Sequence, residues 1–308
     1  MDDLLLPYRG VFPIAPTPFS DDGALDLESQ RRVLDCMVDQ GVDGICILAN
    51  YSEQFLLDDA ERDQLLDICL SHVAGRVPVI VTVSHFSTRV AIQRARAADA
   101  AGAKMLMLMP PYHGAALRAD ENGIYEHYRD IADAVSIPLM VQDAPLSGVG
   151  LSVSLLTRLA QEIEQVRYFK VEQPGTAGKL RALMEQGGTA IEGPFDGEES
   201  ITLLADLDAG ATGTMPSAML PDLIKPVVDA YLAGDRAQAK SHYDRILPLI
   251  NYENRQCGLR ATKLVMQAGG VIASAAVRHP LVPLDPATVS GLMELVTPLN
   301  PLAASWGH

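Results

Sequence analysis

The sequence predicts an α/β fold, a (β/α)8 TIM barrel with a C-terminal helical extension, and three observations carry that expectation. Short apolar runs recur along roughly the first 215 residues, with starts about 20 to 35 residues apart, the length of one strand plus one covering helix. The runs are almost continuously apolar, as parallel strands covered by helices are. After about Leu232 the strand signals stop and helical patterns alone remain.

In chain order the strand candidates are VFPIAPT from Val11, GICILA from Gly44, PVIVTV from Pro78, KMLMLM from Lys104, PLMVQ from Pro138, RYFKV from Arg167, AIEG from Ala190 and ATGTM from Ala211. Amphipathic helices fall between them. Leu27 to Asp39 places Val33, Leu34, Met37 and Val38 on one face, and Asp58 to His72 does the same with Leu65, Leu66, Ile68 and Cys69. Gly41, Gly75, Gly102 and Gly188 stand where such helices stop. The acids at Asp58, Asp59, Glu61 and Asp63 suit a solvated helix start. The tail reads as helices over Asp235 to Leu247, Arg255 to Ala268 and Pro286 to Val296, with Pro248 ending the first. The expected division is a barrel over residues 1–232 and a helical extension over 233–308. An open doubly wound sheet is the competing architecture, and no GxGxxG follows the first strand to favour it.

With 308 residues, 48% of them hydrophobic, the chain can bury a large core. A net charge of -15 excludes a broad basic surface, so neither nucleic acid nor an anionic membrane is an expected partner. The start, MDDLLLPYRG, lacks a basic segment ahead of an apolar run, and no stretch of about 20 apolar residues appears, so no signal peptide or membrane span is expected. Cys36, Cys46, Cys69 and Cys257 match no zinc or CxxC spacing and are expected as reduced core cysteines of a cytoplasmic protein. No H-x-H, HExxH or metal-spaced carboxylate cluster occurs, so neither metal nor other cofactor is expected.

In a barrel the chemistry lies at the C-terminal ends of the strands, and these ends are polar. They carry Asn50, Tyr51, Ser52 and Glu53 after the second strand, and Ser84 and His85 after the third. Tyr112 and His113 follow the fourth, Gln142 and Asp143 end the fifth, Lys170 and Glu172 belong to the sixth, and Glu192 is assigned to the seventh. Taken singly, each of these suits an ordinary loop. Lys170 is the exception. Side chains alternate along a strand, so Tyr168, Lys170 and Glu172 share one face while Phe169 and Val171 take the helix-facing side. A lysine desolvated in this way has a lowered pKa, and its free amine can condense with a ketone. The alternative is a buried structural ion pair between Lys170 and Glu172. His85 and His113 suit acid/base work as well as structural hydrogen bonding. His72, His127, His242 and His279 fall in helical or tail segments and read as surface or packing residues.

GVFPIAPTPF, GVDGICIL, AGRVPVIV, MPPYHG and YFKV occur in the order and spacing of the dihydrodipicolinate synthase / N-acetylneuraminate lyase family, and the sequence resembles that family over most of its length. The resemblance implies a barrel with a helical extension, a tetramer, and a sixth-strand lysine, here Lys170, that forms a Schiff base with a 2-keto acid. The family's loop after the second strand reads Gly-Thr/Ser-Thr-Gly-Glu and helps hold the substrate carboxylate; here it is Ala49-Asn50-Tyr51-Ser52-Glu53. Where the family places a catalytic tyrosine before Asn-x-Pro, this chain has Gln142 before Asp143-Ala144-Pro145, and His113 replaces a second tyrosine. An amide cannot relay protons as a phenol does.

ANYSEQF, PPYHG, QDAP, FKVEQPG and IEGPFDGEE together are similar to the branch of the family that dehydrates five-carbon 2-keto-3-deoxy sugar acids. That similarity implies conversion of L-2-keto-3-deoxyarabonate to 2-oxoglutarate semialdehyde by an iminium at Lys170, with no cofactor. Glu172 is the first choice as base for the C3 proton, with His113, Glu192 and His85 as competitors. A pyruvate-releasing aldolase and a non-catalytic 2-keto acid binding protein are the alternative readings.

Overall fold

The computed structural model describes residues 7–112 and 118–308, which divide into two compact units. One unit comprises residues 7–9, Ile80–Glu198 and Thr202–Thr214, and the other Gly10–Val79, Glu199–Ile201 and Met215–His308. The strands among the described residues are β1 (Gly10–Val11), β2 (Ile45–Ile47), β3 (Val79–Thr82), β4 (Met105–Leu108), β5 (Leu139–Asp143), β6 (Val166–Val171), β7 (Gly193–Asp196) and β8 (Gly213–Thr214). The sheet order is β1-β8-β7-β6-β5-β4-β3-β2, the cyclic succession of a (β/α)8 barrel.

In the first unit β3 to β8 pair in parallel, each with the next in sequence. Helices α3 (Thr88–Ala100), α4 (Glu121–Ala132), α5 (Val153–Glu162), α6 (Thr176–Gly187) and α7 (Leu203–Asp208) connect them. Leu106, Leu108, Leu139, Val141, Phe169 and Val171 from the strands are buried, as are Ile131, Leu156, Leu159, Leu180 and Leu183 from the helices. Removing this apolar area from water is the main stabilising term.

In the second unit the first predicted strand is much shorter than its apolar run. Pro13 and Pro16 have no N–H to give to a ladder, so beyond β1 the pairing reduces to bridges of Ile14 to Cys46 and to Ser217. Helices α1 (Leu27–Asp39) and α2 (Asp59–Val73) match the two sequence patterns, and Asp58 and Glu61 close a capping box at the start of α2. Helices α8 (Pro221–Leu232), α9 (Arg236–Tyr252), α10 (Arg260–Ala268) and α11 (Pro286–Leu299) follow. Helix α9 runs through Pro248 where the sequence suggested a stop. The proline removes one backbone bond, and the turn beyond it buries Leu249 and Ile250, which outweighs that loss. All of the cysteines are buried and unbridged. Among the described residues no helix is long and apolar enough to cross a membrane.

Candidate active site

Strand β6 sets the site. Its register places Gln142 of β5 and Phe195 of β7 beside Lys170, so the lysine stem stands between an amide and a ring. Lys170 is only 4% exposed. Its Nζ lies 2.6 Å from Oε1 of Glu172, two residues on. Gln142 Nε2 donates to the same oxygen at 2.7 Å. Because a carboxylate accepts and does not donate, this contact fixes which end of the amide faces Glu172. The other end, Oε1 of Gln142, is buried and has no hydrogen-bond partner among the described residues. The Glu172 side chain is 15% exposed and forms the more open edge of the trio.

Gly197 completes the wall. A Cβ on this residue would stand 2.5 Å from Cγ of Glu172 and 2.8 Å from Cγ of Lys170, closer than carbon atoms pack. Its amide donates to the Val171 carbonyl at 3.0 Å, which presses the chain after β7 onto the lysine strand. The arrangement holds an ammonium against a base. Proton transfer from Nζ to Glu172 needs no movement of either group, and it yields the free amine that attacks a ketone.

Several residues expected at the site are engaged elsewhere. Asp143 pairs in register with the helix-facing Val171, so its carboxylate points into the helix layer. There it takes Lys179 Nζ at 2.5 Å and Gln173 Nε2 at 2.6 Å. Burial pushes its pKa up and the Lys179 charge pulls it back. Asp143 is therefore engaged in an ion pair on the side away from Lys170. Glu192 is also corrected. Gly188–Ala190 forms a 3-10 turn, so β7 begins at Gly193 and Glu192 sits before the strand. Its amide donates to the Arg167 carbonyl, three residues or roughly 10 Å down β6 from Lys170. Its carboxylate takes the Arg167 guanidinium and the Tyr168 hydroxyl.

His85 follows β3 and is half-buried; its Nδ1 accepts from the Ser87 amide at 2.9 Å, which leaves Nε2 to carry the proton of the neutral ring. Tyr112 is half-buried in the segment after β4. His113 lies outside the described residues. His127 is buried, its Nδ1 2.9 Å from Thr88 Oγ1, and burial together with the nearby His85 pulls its pKa down to about 4.

In the second unit the loop after β2 is mostly a structural joint. Ser52 is buried and donates its hydroxyl to the Ala15 carbonyl at 2.6 Å, while Thr17 Oγ1 donates to the Ser52 carbonyl at 2.8 Å. Glu53 pairs with Lys263 and accepts from the Arg278 amide at 3.1 Å. Both side chains are thus engaged within the protein. Asn50 and Tyr51 are half-buried, and Asn50 Oδ1 accepts from Gln54 Nε2 at 2.6 Å.

The sequence reading missed Asp196, Asp206 and Gly197 in the first unit, and Lys263 in the second. The seventh strand had been assigned too early in the chain, which left Asp196 without a strand end. For Lys263 no local signal existed, since its carboxylate partner is 210 residues away.

A parallel barrel with a desolvated lysine on its sixth strand, held by a carboxylate, is the frame of a Schiff-base enzyme. The model of the dihydrodipicolinate synthetase family matches residues 7–298, and the chain belongs to that family. It is 55% identical over 301 residues to L-2-keto-3-deoxyarabonate dehydratase of Azospirillum brasilense, covering 98% of this chain and 97% of that protein. To 4-hydroxy-tetrahydrodipicolinate synthase 2 of Streptomyces coelicolor it is 31% identical over 283 residues, 91% of each chain. The crystal structure of dihydrodipicolinate synthase from Aquifex aeolicus superposes with a TM-score of 0.89 over 96% of this chain and 99% of its own, at 24% identity, which shows the shared fold.

Proposed function

We propose that the protein is a Schiff-base-forming hydro-lyase that converts L-2-keto-3-deoxyarabonate to 2-oxoglutarate semialdehyde and water, in the breakdown of L-arabinose. The observation that carries this reading is the convergence of Lys170 Nζ and Gln142 Nε2 on one oxygen of Glu172. The 55% identity to a dehydratase of that substrate supports the choice of reaction.

Glu172 takes a proton from Lys170, and the free amine adds to the C2 ketone and loses water to give the iminium. Glu172 returns its proton to the departing water, and the regenerated carboxylate then stands beside the cationic iminium and the carbons that it has acidified. Removal of a C3 proton gives the enamine, which expels the C4 hydroxyl as water. Loss of a proton from C5 and reprotonation of the carbon chain turn C5 into an aldehyde, and hydrolysis of the iminium releases the product. Gln142 holds Glu172 in place through Nε2, and its Oε1, without a partner among the described residues, suits a substrate hydroxyl. It does not relay protons.

Asn50, Tyr51, His85 and Tyr112 remain proposed substrate contacts and His113 a proposed proton carrier. A cytoplasmic homotetramer, each chain with a helical extension over residues 233–308, is the assembly that the family resemblance favours. The test is incubation of the protein with L-2-keto-3-deoxyarabonate, followed by NMR. The expected product is 2-oxoglutarate semialdehyde without pyruvate. Pyruvate would mark an aldolase, and unchanged substrate would leave a binding protein.

A further inference from the structure

In the second unit the loop after β2 carries two of the proposed substrate contacts, and its backbone is strained. Asn50–Ser52 and Gln54–Leu56 are single 3-10 turns, and Glu53 joins them, ending one and opening the other. Leu48 and Glu53, neither of them glycine, take left-handed φ of 57° and 56° on either side of Asn50 and Tyr51. Such backbone disfavours any residue with a Cβ and persists only where surrounding bonds over-determine it, as they do at ligand-binding loops. Here several of those bonds come from the chain beyond β8. The buried Glu53 carboxylate takes Lys263 of α10 on one oxygen and the Arg278 amide on the other, the latter at 3.1 Å. The Arg278 side chain holds the far end of the same loop: Nη1 donates to the Leu56 carbonyl at 2.8 Å and to Glu61 of α2 at 2.6 Å, and Nε donates to the Gly23 carbonyl at 2.9 Å. The buried Phe19 ring lies 4.3 Å from Lys263 Nζ and 4.2 Å from the Arg278 guanidinium, so both cations rest on one aromatic.

Resting on the reading of Asn50 and Tyr51 as substrate contacts, we propose that Glu53, Lys263 and Arg278 are positioning residues that hold the Asn50–Ser52 turn in its substrate-binding form. They act through Asn50 and Tyr51 and take no part in bond making. The ties fall where they fix orientation, on Glu53 directly after the turn and on Leu56 at the end of the next one. Gln54 Nε2, between those two anchors, carries the constraint back to Asn50, whose Oδ1 it meets at 2.6 Å. On the other side Ser52 is tied to Ala15 and Thr17, so the turn is held from both. Each cation has its own carboxylate, Glu53 for Lys263 and Glu61 for Arg278, and the network is closed in charge. The segment around Arg278 thereby sets substrate affinity, and the chemical step is left to other groups.

The test compares wild type with Arg278→Lys, which keeps the charge but cannot reach Leu56, Gly23 and Glu61 from a single nitrogen, and with Tyr51→Ala. The readouts are the backbone amide resonances of Asn50 and Tyr51 in wild type and Arg278→Lys, and the kinetic constants of all three proteins for L-2-keto-3-deoxyarabonate. In Arg278→Lys the two amides should shift and exchange faster, and KM should rise about tenfold with kcat within about twofold of wild type, the mark of lost binding with the chemistry kept. Tyr51→Ala should raise KM as well. Amides that stay in place, or a wild-type KM in Arg278→Lys beside a raised KM in Tyr51→Ala, would overturn the proposal and leave the substrate reading of the turn standing. Shifted amides with KM unchanged in both variants would overturn that reading, and the proposal with it. If Arg278→Lys does not fold, Glu61→Gln takes its place with the same outcomes in smaller measure, since it removes one charged partner of the guanidinium and keeps an oxygen for the Asp58 amide.

Discussion

Each unit of the molecule buries a lysine against a glutamate, and the two pairs differ in what else surrounds them. Lys263 and Glu53 have fully buried side chains, 0% exposed on both sides. Lys263 also donates to the Ala276 carbonyl at 2.8 Å, and its Nζ lies 4.3 Å from the centre of the Phe19 ring. The second oxygen of Glu53 takes the Arg278 amide. In the other unit Glu172 keeps a partly open edge, and the buried Oε1 of Gln142 has no partner among the described residues. The enclosed pair joins loop to helix, whereas the pair with a partly open edge is placed to meet a ligand. Desolvation alone does not separate them: burial lowers the pKa of Lys263, which the Glu53 charge opposes, and yet no acceptor or open edge at that pair awaits a substrate.

The largest expected effect that sharpens this contrast is on turnover. Lys170→Ala should lower kcat on the order of 10⁴-fold or more, as loss of a covalent nucleophile does, with stability changed far less. Lys263→Met should do the reverse. It leaves Glu53 as a buried unpaired charge, at a cost of about 3–5 kcal/mol read by denaturant unfolding, while Lys170 continues to form its adduct. Equal loss of turnover in both variants would erase the distinction.

Next comes Glu172→Gln. Schiff-base formation should slow, because Glu172 also takes the Lys170 proton, and kcat should fall roughly 10²- to 10⁴-fold, the range for removal of a general base. Unchanged turnover would remove Glu172 from the mechanism. The double variant Lys263→Met with Glu53→Gln should recover most of the stability lost in Lys263→Met, since no buried charge remains and the amide oxygen still accepts from Arg278. Failure to recover would mean that the pair itself stabilises the unit.

The smallest effects are those of pH. His127 titrates lower in the fold than in the unfolded chain, so its contribution to stability is present above about pH 6.5 and is lost as pH falls through about 4. Asp196 and Glu253, each pushed up to about 7 chiefly by burial, act in the other direction. Their contribution is present below about pH 4 and is lost as pH rises toward 7. Replacing Glu253 with Gln should flatten the stability profile between those limits, whereas His127→Leu should flatten the acid side. Unfolding midpoints at pH 5, 6 and 7.5 read both.

The barrel was legible because its signals are local. Apolar runs, amphipathic faces and helix-stopping glycines each lie within one element, and Gly41, Gly75, Gly102 and Gly188 all take positive φ as expected. Lys170 was legible for the same reason, as a charge inside an apolar strand. The remainder depended on register and on distant partners. Asp143 adjoins Gln142 in sequence but points the other way, and only the pairing of β5 with β6 decides that. Glu192 was misplaced by a strand start three residues too early, and the pairing of Glu53 with Lys263 was not legible because that lysine lies far along the chain.

The most direct measurement is borohydride reduction of the protein in the presence of L-2-keto-3-deoxyarabonate, followed by intact mass and peptide mapping. The expected result is a single five-carbon adduct, whole or short of one water, on the peptide carrying Lys170. An adduct on Lys263 or another lysine, or none, would contradict the assignment of Lys170 as the amine that forms the Schiff base.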